Sequence, residues 1–145
     1  MLIRHLRDYQ WENIAVLPYK EEGHHYKRIT KQILSEELAD IPCQLRYFEI
    51  APEGYSTLEH HEHAHLVIIF RGAGEALVGD KVFPVQEKDV ITIPAHTWHQ
   101  FRASQGTPFG FLCLVNVERD KPVLPSPEDM ERLRRDPDVA AFIRS

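Results

Sequence analysis

The chain has 145 residues, 43% of them hydrophobic and 27% charged, with a formal net charge of -5. One globular domain, 1–145, is the natural count at this length, and a domain of this size buries about 68–70% of its unfolded surface. The acidic balance carries no footprint for a nucleic acid or an anionic membrane as partner.

The first residues carry Arg4, Arg7, Asp8 and Glu12 without an apolar stretch, so no secretion signal is read there and a cytoplasmic location is expected. Apolar runs such as Leu66 to Phe70 are far too short to span a bilayer. Cys43 and Cys113 are expected as two reduced thiols.

Residues 1–43 read as an N-terminal arm. Within it, Asn13 to Tyr19 holds a short apolar run ended by Pro18, and Tyr26 to Leu34 alternates well enough for an edge strand, although a helix fits it equally. Gln44 to Pro52 alternates aromatic and apolar residues, a good strand, and Pro52-Glu53-Gly54 reads as a turn. Ser56 to His61 can be a strand, and Leu66 to Arg71 reads firmly as one. Gly79-Asp80 reads as the two-residue turn of a hairpin between Glu75–Val78 and Val82–Val85, with Pro84 marking an edge or bulge. Val90–Ile93, Trp98–Ala103 and Phe109–Val117 complete about seven or eight short strands between 44 and 117, the signature of an all-β sandwich or barrel. Glu118 to Pro127 is a charged, proline-rich connector, usually a solvated loop. Ser126-Pro-Glu-Asp and Asp136-Pro-Asp start two short C-terminal helices within 126–144.

Chemistry concentrates at Glu59-His60-His61-Glu62-His63-Ala64-His65, which puts four of the nine histidines within six positions. Residues two apart on a strand share a face, so Glu59 and His61 point together while His60 points away. A tight turn at Glu62-His63-Ala64 can bring His65 back beside His61, and His99 opens a later strand after a proline turn. Three neutral imidazoles and one carboxylate around a 2+ ion leave a net charge of +1 and open positions for water or substrate. That ligand set suits one divalent transition metal, and Fe, Mn, Ni, Cu and Zn all fit it. Against this stands the plain reading of a histidine cluster as a polar surface loop. His63 and His96, in turns nearby, are supporting or alternative ligands, or simply solvated. Phe101 shares the His99 face, as pocket lining or core filler. Cys113, in an apolar strand, reads first as a small hydrophobe.

At these residues the chain resembles the cupin superfamily, over about 44–117. The first motif of that family runs from a glycine through His-x-His and a glutamate to a closing glycine. Gly72 stands seven positions after His65, the family's spacing from glutamate to closing glycine, so the His-x-His falls on Glu59 and His61. The carboxylate and one histidine are thus exchanged, and the inventory stays at three His and one Glu: Glu59, His61, His65 and His99. A second register takes His61 and His63 as the pair, with Gly74 closing and Val67 at the glutamate position. In the second motif Pro94, His99 and Asp89 match. Glu53 and Lys88 stand at or beside glycine positions, His96 replaces the Pro-x-Gly glycine, and Ala103 stands where asparagine is expected.

The resemblance implies a single cupin-like β-barrel (a double-stranded β-helix) that binds a small molecule. It also implies a metal-dependent enzyme, a dioxygenase or an isomerase, with Glu59 as ligand or general base. The alternative is a non-catalytic small-molecule-binding module, and a third reading is a barrel with structural histidines. The resemblance further implies a homodimer that exchanges N-terminal strands to cover sheet edges.

Overall fold

Side chains alternate between inside and outside along each long strand, and that alternation wraps the sheet around one apolar core. The computed structural model describes residues 2–35 and 40–145. It contains β1 (Leu17–Pro18), β2 (Lys27–Ser35), β3 (Cys43–Tyr55), β4 (His65–Arg71), β5 (Ala73–Val78), β6 (Lys81–Gln86), β7 (Val90–Ile93), β8 (His99–Ala103) and β9 (Phe109–Asn116), followed by α1 (Pro127–Leu133) and α2 (Pro137–Phe142). The strands run in the order β6-β5-β8-β3-β9-β4-β7 in one curled sheet, with β2 added to β3 and β1 to β2. The expected all-β cupin-like barrel with short C-terminal helices is the fold observed. Among the described residues no helix is long and apolar enough to cross a membrane.

Inward positions are apolar over most of their length. Phe48 and Ile50 of β3, Val67 and Ile69 of β4, Phe101 of β8, and Phe109 and Phe111 of β9 meet in the main core. Outward on β4, Leu66, Ile68 and Phe70 alternate with them and are partly exposed. The Gly79-Asp80 hairpin is present, with Val78 opposite Lys81 and Gly79 at φ 68°. Pro84 lies on β6 at the end of the strand order, where its missing N–H breaks no ladder.

Two segments differ from the sequence reading. Pro52-Glu53-Gly54 is not a turn, because β3 continues through it to Tyr55. The chain absorbs the bend as a bulge: Ile29 faces Ile50 but Lys27 faces Tyr55, and Glu53 takes φ 64°. A Cβ on Gly54 would meet the Lys27 carbonyl oxygen at 2.6 Å, so glycine permits this close approach. Past the bulge, β3 leaves β9 and pairs with β8 through Tyr55 and Arg102. Ser56 to His61 is not a ladder strand either: among the described residues, isolated bridges tie Glu59 to His99 and His60 to Val123. Ser56 instead uses its Oγ to accept from Phe101 N–H at 2.8 Å.

The family glycine positions hold their backbone shape without glycine. Glu53, Lys88 and His96 all adopt positive φ, at 64°, 77° and 57°.

Both helices start as read. Ser126 Oγ accepts from Asp129 N–H at 3.1 Å while Ser126 N–H donates to the Asp129 carboxylate at 3.0 Å, a capping box. Asp136 caps α2, its carboxylate accepting from the backbone N–H of Asp138 at 2.8 Å and of Val139 at 3.1 Å. Val139 and Phe142 of α2 bury against Leu58 and Leu77, with Trp98 partly buried beside them, each full burial contributing roughly 1.5–3 kcal/mol. The buried Gln100 amide exchanges hydrogen bonds with the Arg144 backbone at 2.7 and 2.9 Å and fastens the C-terminal end to β8.

Candidate metal centre

His65 is the first residue of β4 and shares its inward face with Val67 and Ile69. His99 is the first residue of β8 and shares its inward face with Phe101 and Ala103. Glu59 is held beside His99 by a reciprocal backbone pair of 3.2 and 3.0 Å. Alternation from there turns His61 inward and His60 outward, where its ring packs against Trp98 at 4.3 Å. His61, His65 and His99 each offer a ring nitrogen, and these three atoms lie within 4.8 Å of one another.

The hydrogen bonds decide which nitrogen each ring offers. His61 Nδ1 meets the His63 carbonyl at 2.7 Å and His99 Nδ1 meets the Thr97 carbonyl at 2.9 Å. A carbonyl only accepts, so both Nδ1 atoms carry the proton and Nε2 keeps its lone pair. The Nε2 atoms of His61 and His65 are buried with no hydrogen-bond partner among the described residues. Leaving such an atom unsatisfied costs about 1–3 kcal/mol, which an ion would relieve. Burial pulls the three imidazoles well below 6.5: His61 to about 4, with His99 adding to the effect, His65 to about 2, again with His99 adding, and His99 to about 4. They are therefore neutral at pH 7, the form that ligates metal. The residues fit a divalent transition-metal ion.

The other residues singled out in the sequence fall in three places. Glu59 is buried and lines the same cavity, but its carboxylate is ion-paired with Lys20 and is not gathered with the imidazole nitrogens. His63 stacks flat on His61, centroids 3.6 Å apart, and its Nδ1 lies 2.7 Å from the Asp120 carboxylate. His96 is exposed and lies outside the cavity, its ring 6.2 Å from that of His60. Phe101 both lines the cavity and stacks on Phe111 at 4.5 Å.

The cavity has a volume of about 370 Å³ and holds side chains the sequence reading passed over. Asp120 is not a solvated loop acid: it accepts from the backbone N–H of Glu62 at 2.9 Å and of His63 at 3.3 Å, and so clamps the histidine turn. These bonds hold its carboxyl well below the usual range, with the Glu62 N–H the largest cause. Nothing local in the connector signals this contact. Cys113 lines the cavity with Sγ 3.4 Å from His65 Nδ1 and 3.5 Å from Arg46 Nη2. Burial raises its thiol pKa and the Arg46 charge opposes that rise. Arg46 was legible: it sits two residues before Phe48 and four before Ile50, hence on the inward face, where an unpartnered charge is unusual.

Known proteins share this sequence and fold. Residues 46–115 match the cupin domain model. The chain is 48% identical over 136 residues to a Rhodospirillum rubrum protein named 1-methylthio-D-xylulose 5-phosphate methylsulfurylase, covering 93% of this chain and 86% of that protein. A cupin 2 conserved barrel domain protein from Rhodopseudomonas palustris superposes with a TM-score of 0.94 at 42% identity, over the full length of both chains. A cupin-2 domain structure from Rhodospirillum rubrum gives 0.87 at 48% identity, over 93% of this chain and 90% of that one. The chain belongs to the cupin family.

Proposed function

We propose that this cupin is a metal-dependent enzyme that removes a methylthio group from a phosphorylated keto sugar; the supporting likeness is to the Rhodospirillum rubrum protein named 1-methylthio-D-xylulose 5-phosphate methylsulfurylase. The observation that carries the reading is a single cavity that combines three imidazoles, each offering a ring nitrogen, with one thiol and a surplus of cations. His61, His65 and His99 are the ligands, and Glu59 stands beside them with Lys20 as its partner. A bound divalent metal would polarise the substrate carbonyl as a Lewis acid.

The chain's own groups supply the remaining chemistry. Carbon 1 of a 1-methylthio-2-ketose lies next to the carbonyl, so electrons released there are delocalised onto oxygen. Cys113 gives up its thiol proton to water, with Arg46 stabilising the thiolate against the effect of burial, and forms an S–S bond to the methylthio sulfur. The C–S electron pair passes to carbon 1, which takes a proton from the Glu59–Lys20 pair. Cysteine is oxidised to a methyl disulfide and the sugar carbon is reduced; a second thiol from solution then reduces the disulfide. The dioxygenase reading drawn from the resemblance has no comparable observation behind it.

The test is the metal content of the purified protein followed by NMR of 1-methylthio-D-xylulose 5-phosphate with a small thiol added. We expect about one transition metal per chain and loss of the S-methyl signal from the sugar. An untouched substrate with metal-loaded protein would sink the reaction.

We also infer a homodimer through the outward face of β4, where Leu66, Ile68 and Phe70 are 38%, 38% and 40% exposed. Light scattering should give twice 16.9 kDa, reduced to one chain by Ile68→Lys.

A further inference from the structure

The cavity lining carries more positive charge than its carboxylates offset. Lys20, Lys31, Arg46 and Arg119 line it, against Glu21, Glu59 and Asp120. Glu59 is taken by Lys20, and Asp120 by His63. Among the described residues Lys31, Arg46 and Arg119 make no ion pair, and Glu21 alone is left to face them. This surplus occurs in a chain whose net charge is -5.

The three cations converge by construction. Ile33 of β2 pairs with Arg46 of β3, and Lys31 pairs with Phe48, so Lys31 and Arg46 share the inward face on neighbouring strands. Arg119 enters from the connector after β9, its Nη1 donating to the Asn116 carbonyl at 2.7 Å. Arg46 lies over the Phe48 ring, 5.0 Å from its centroid. Its Nε is buried with no partner. The charges work against one another: Lys31 and Arg119 are each lowered first by burial and next by Arg46. Such a cluster costs free energy unless an anion joins it.

We propose that Lys31, Arg46 and Arg119 form a phosphate-monoester subsite that receives the terminal phosphate of the substrate. Guanidinium groups suit it because they donate two parallel hydrogen bonds to phosphate oxygens. Arg46 touches Cys113, which touches His65, so the phosphate end and the reacting end of one ligand share one cavity. The subsite rests on the reading of a phosphorylated substrate given above and names the residues that select it.

Calorimetric titration of the purified, metal-containing protein tests it, with D-xylulose 5-phosphate, inorganic phosphate and D-xylulose as probes. The wild type should prefer D-xylulose 5-phosphate to D-xylulose by about tenfold or more. Arg46→Gln, Lys31→Gln and the exposed Arg119→Gln should each weaken the phosphate ester several-fold and leave D-xylulose unchanged. Inorganic phosphate should compete with the ester. If it binds alone and the ester does not, the site is an anion site and the subsite is overturned. No preference for the ester in the wild type, or an unchanged ester affinity in folded Lys31→Gln and Arg119→Gln, overturns it as well. Ester binding that depends on the three cations, without consumption of the methylthio substrate, would retain the subsite and refute the reaction. Turnover with an unchanged KM in all three variants would do the reverse.

Discussion

The two ends of the barrel interior are built on the same strand faces with opposite chemistry. On β8 the inward face reads His99 and then Phe101; on β4 it reads His65 and then Val67 and Ile69. On β3 it reads Arg46 and then Phe48 and Ile50, and on β9 it reads Cys113 against Phe111 and Phe109. On β8, β4 and β3 the polar inward residue lies toward one end and the apolar ones toward the other, while on β9 Cys113 sits between Phe111 and Val115. One end is a packed aromatic plug, and the other is a cavity of about 370 Å³ with unsatisfied polar atoms. The plug supplies the stability that lets the other end keep groups it would otherwise be costly to bury.

Damage to the plug should therefore cost the most. Phe111 is 4% exposed, stacks on Phe101 and packs at a tilt against Phe48, with centroids 5.5 Å apart. Phe111→Ala should destabilise the fold by about 3–5 kcal/mol, through lost transfer energy and the cavity left behind. Urea unfolding measures it, and a loss below about 1 kcal/mol would mean that the plug is not where the stability lies. His99→Ala, at the other end of the same face, should do the opposite: the metal is lost from the protein while the metal-free fold survives. Elemental analysis beside the same urea curve separates the two effects.

Of the two ends of the barrel interior, acid should act on the polar one. Unfolded imidazoles take up protons near pH 6.5, whereas buried His61 and His99 resist until about 4 and His65 until about 2. Between these values the unfolded chain binds more protons, so the stability of the metal-free protein rises with pH. It is fully present above about pH 6.5 and is lost progressively as the pH falls toward 4. Unfolding midpoints at pH 7 and pH 5 in the presence of a chelator should differ. That difference should shrink in His65→Ala and persist in Phe111→Ala, because only the first removes a titrating group.

Much of the plug was legible in the sequence, since alternation in strands such as Gln44–Pro52 and Phe109–Val117 follows directly from the two-residue period. The histidine trio was legible for the same reason together with one turn length. What lay beyond reach were contacts between distant segments: Asp120 under the His63 turn, Lys20 on Glu59, and Arg119 arriving beside Arg46. Their sequence separations of 57, 39 and 73 residues carry no periodicity. The bulge at Glu53 reads as a turn in the sequence because both use the same residues, and the ladder on either side distinguishes them.

The smallest expected effect concerns Lys88, which adopts φ 77° at a position the family gives to glycine. It is exposed, and its backbone N–H donates to the Ile69 carbonyl at 2.9 Å, so its backbone geometry is needed while its side chain is not. A left-handed L-residue costs roughly 1–2 kcal/mol, against about 0.5–1 kcal/mol of extra chain entropy lost on ordering a glycine. Lys88→Gly should then stabilise the fold by up to about 1 kcal/mol, read as a higher unfolding midpoint with an unchanged denaturant slope. The gain should be equal with and without metal, because Lys88 touches neither the imidazoles nor the cation cluster. A gain confined to the metal-loaded protein would mean that this turn is coupled to the polar end after all, and the separation of the two ends would fail.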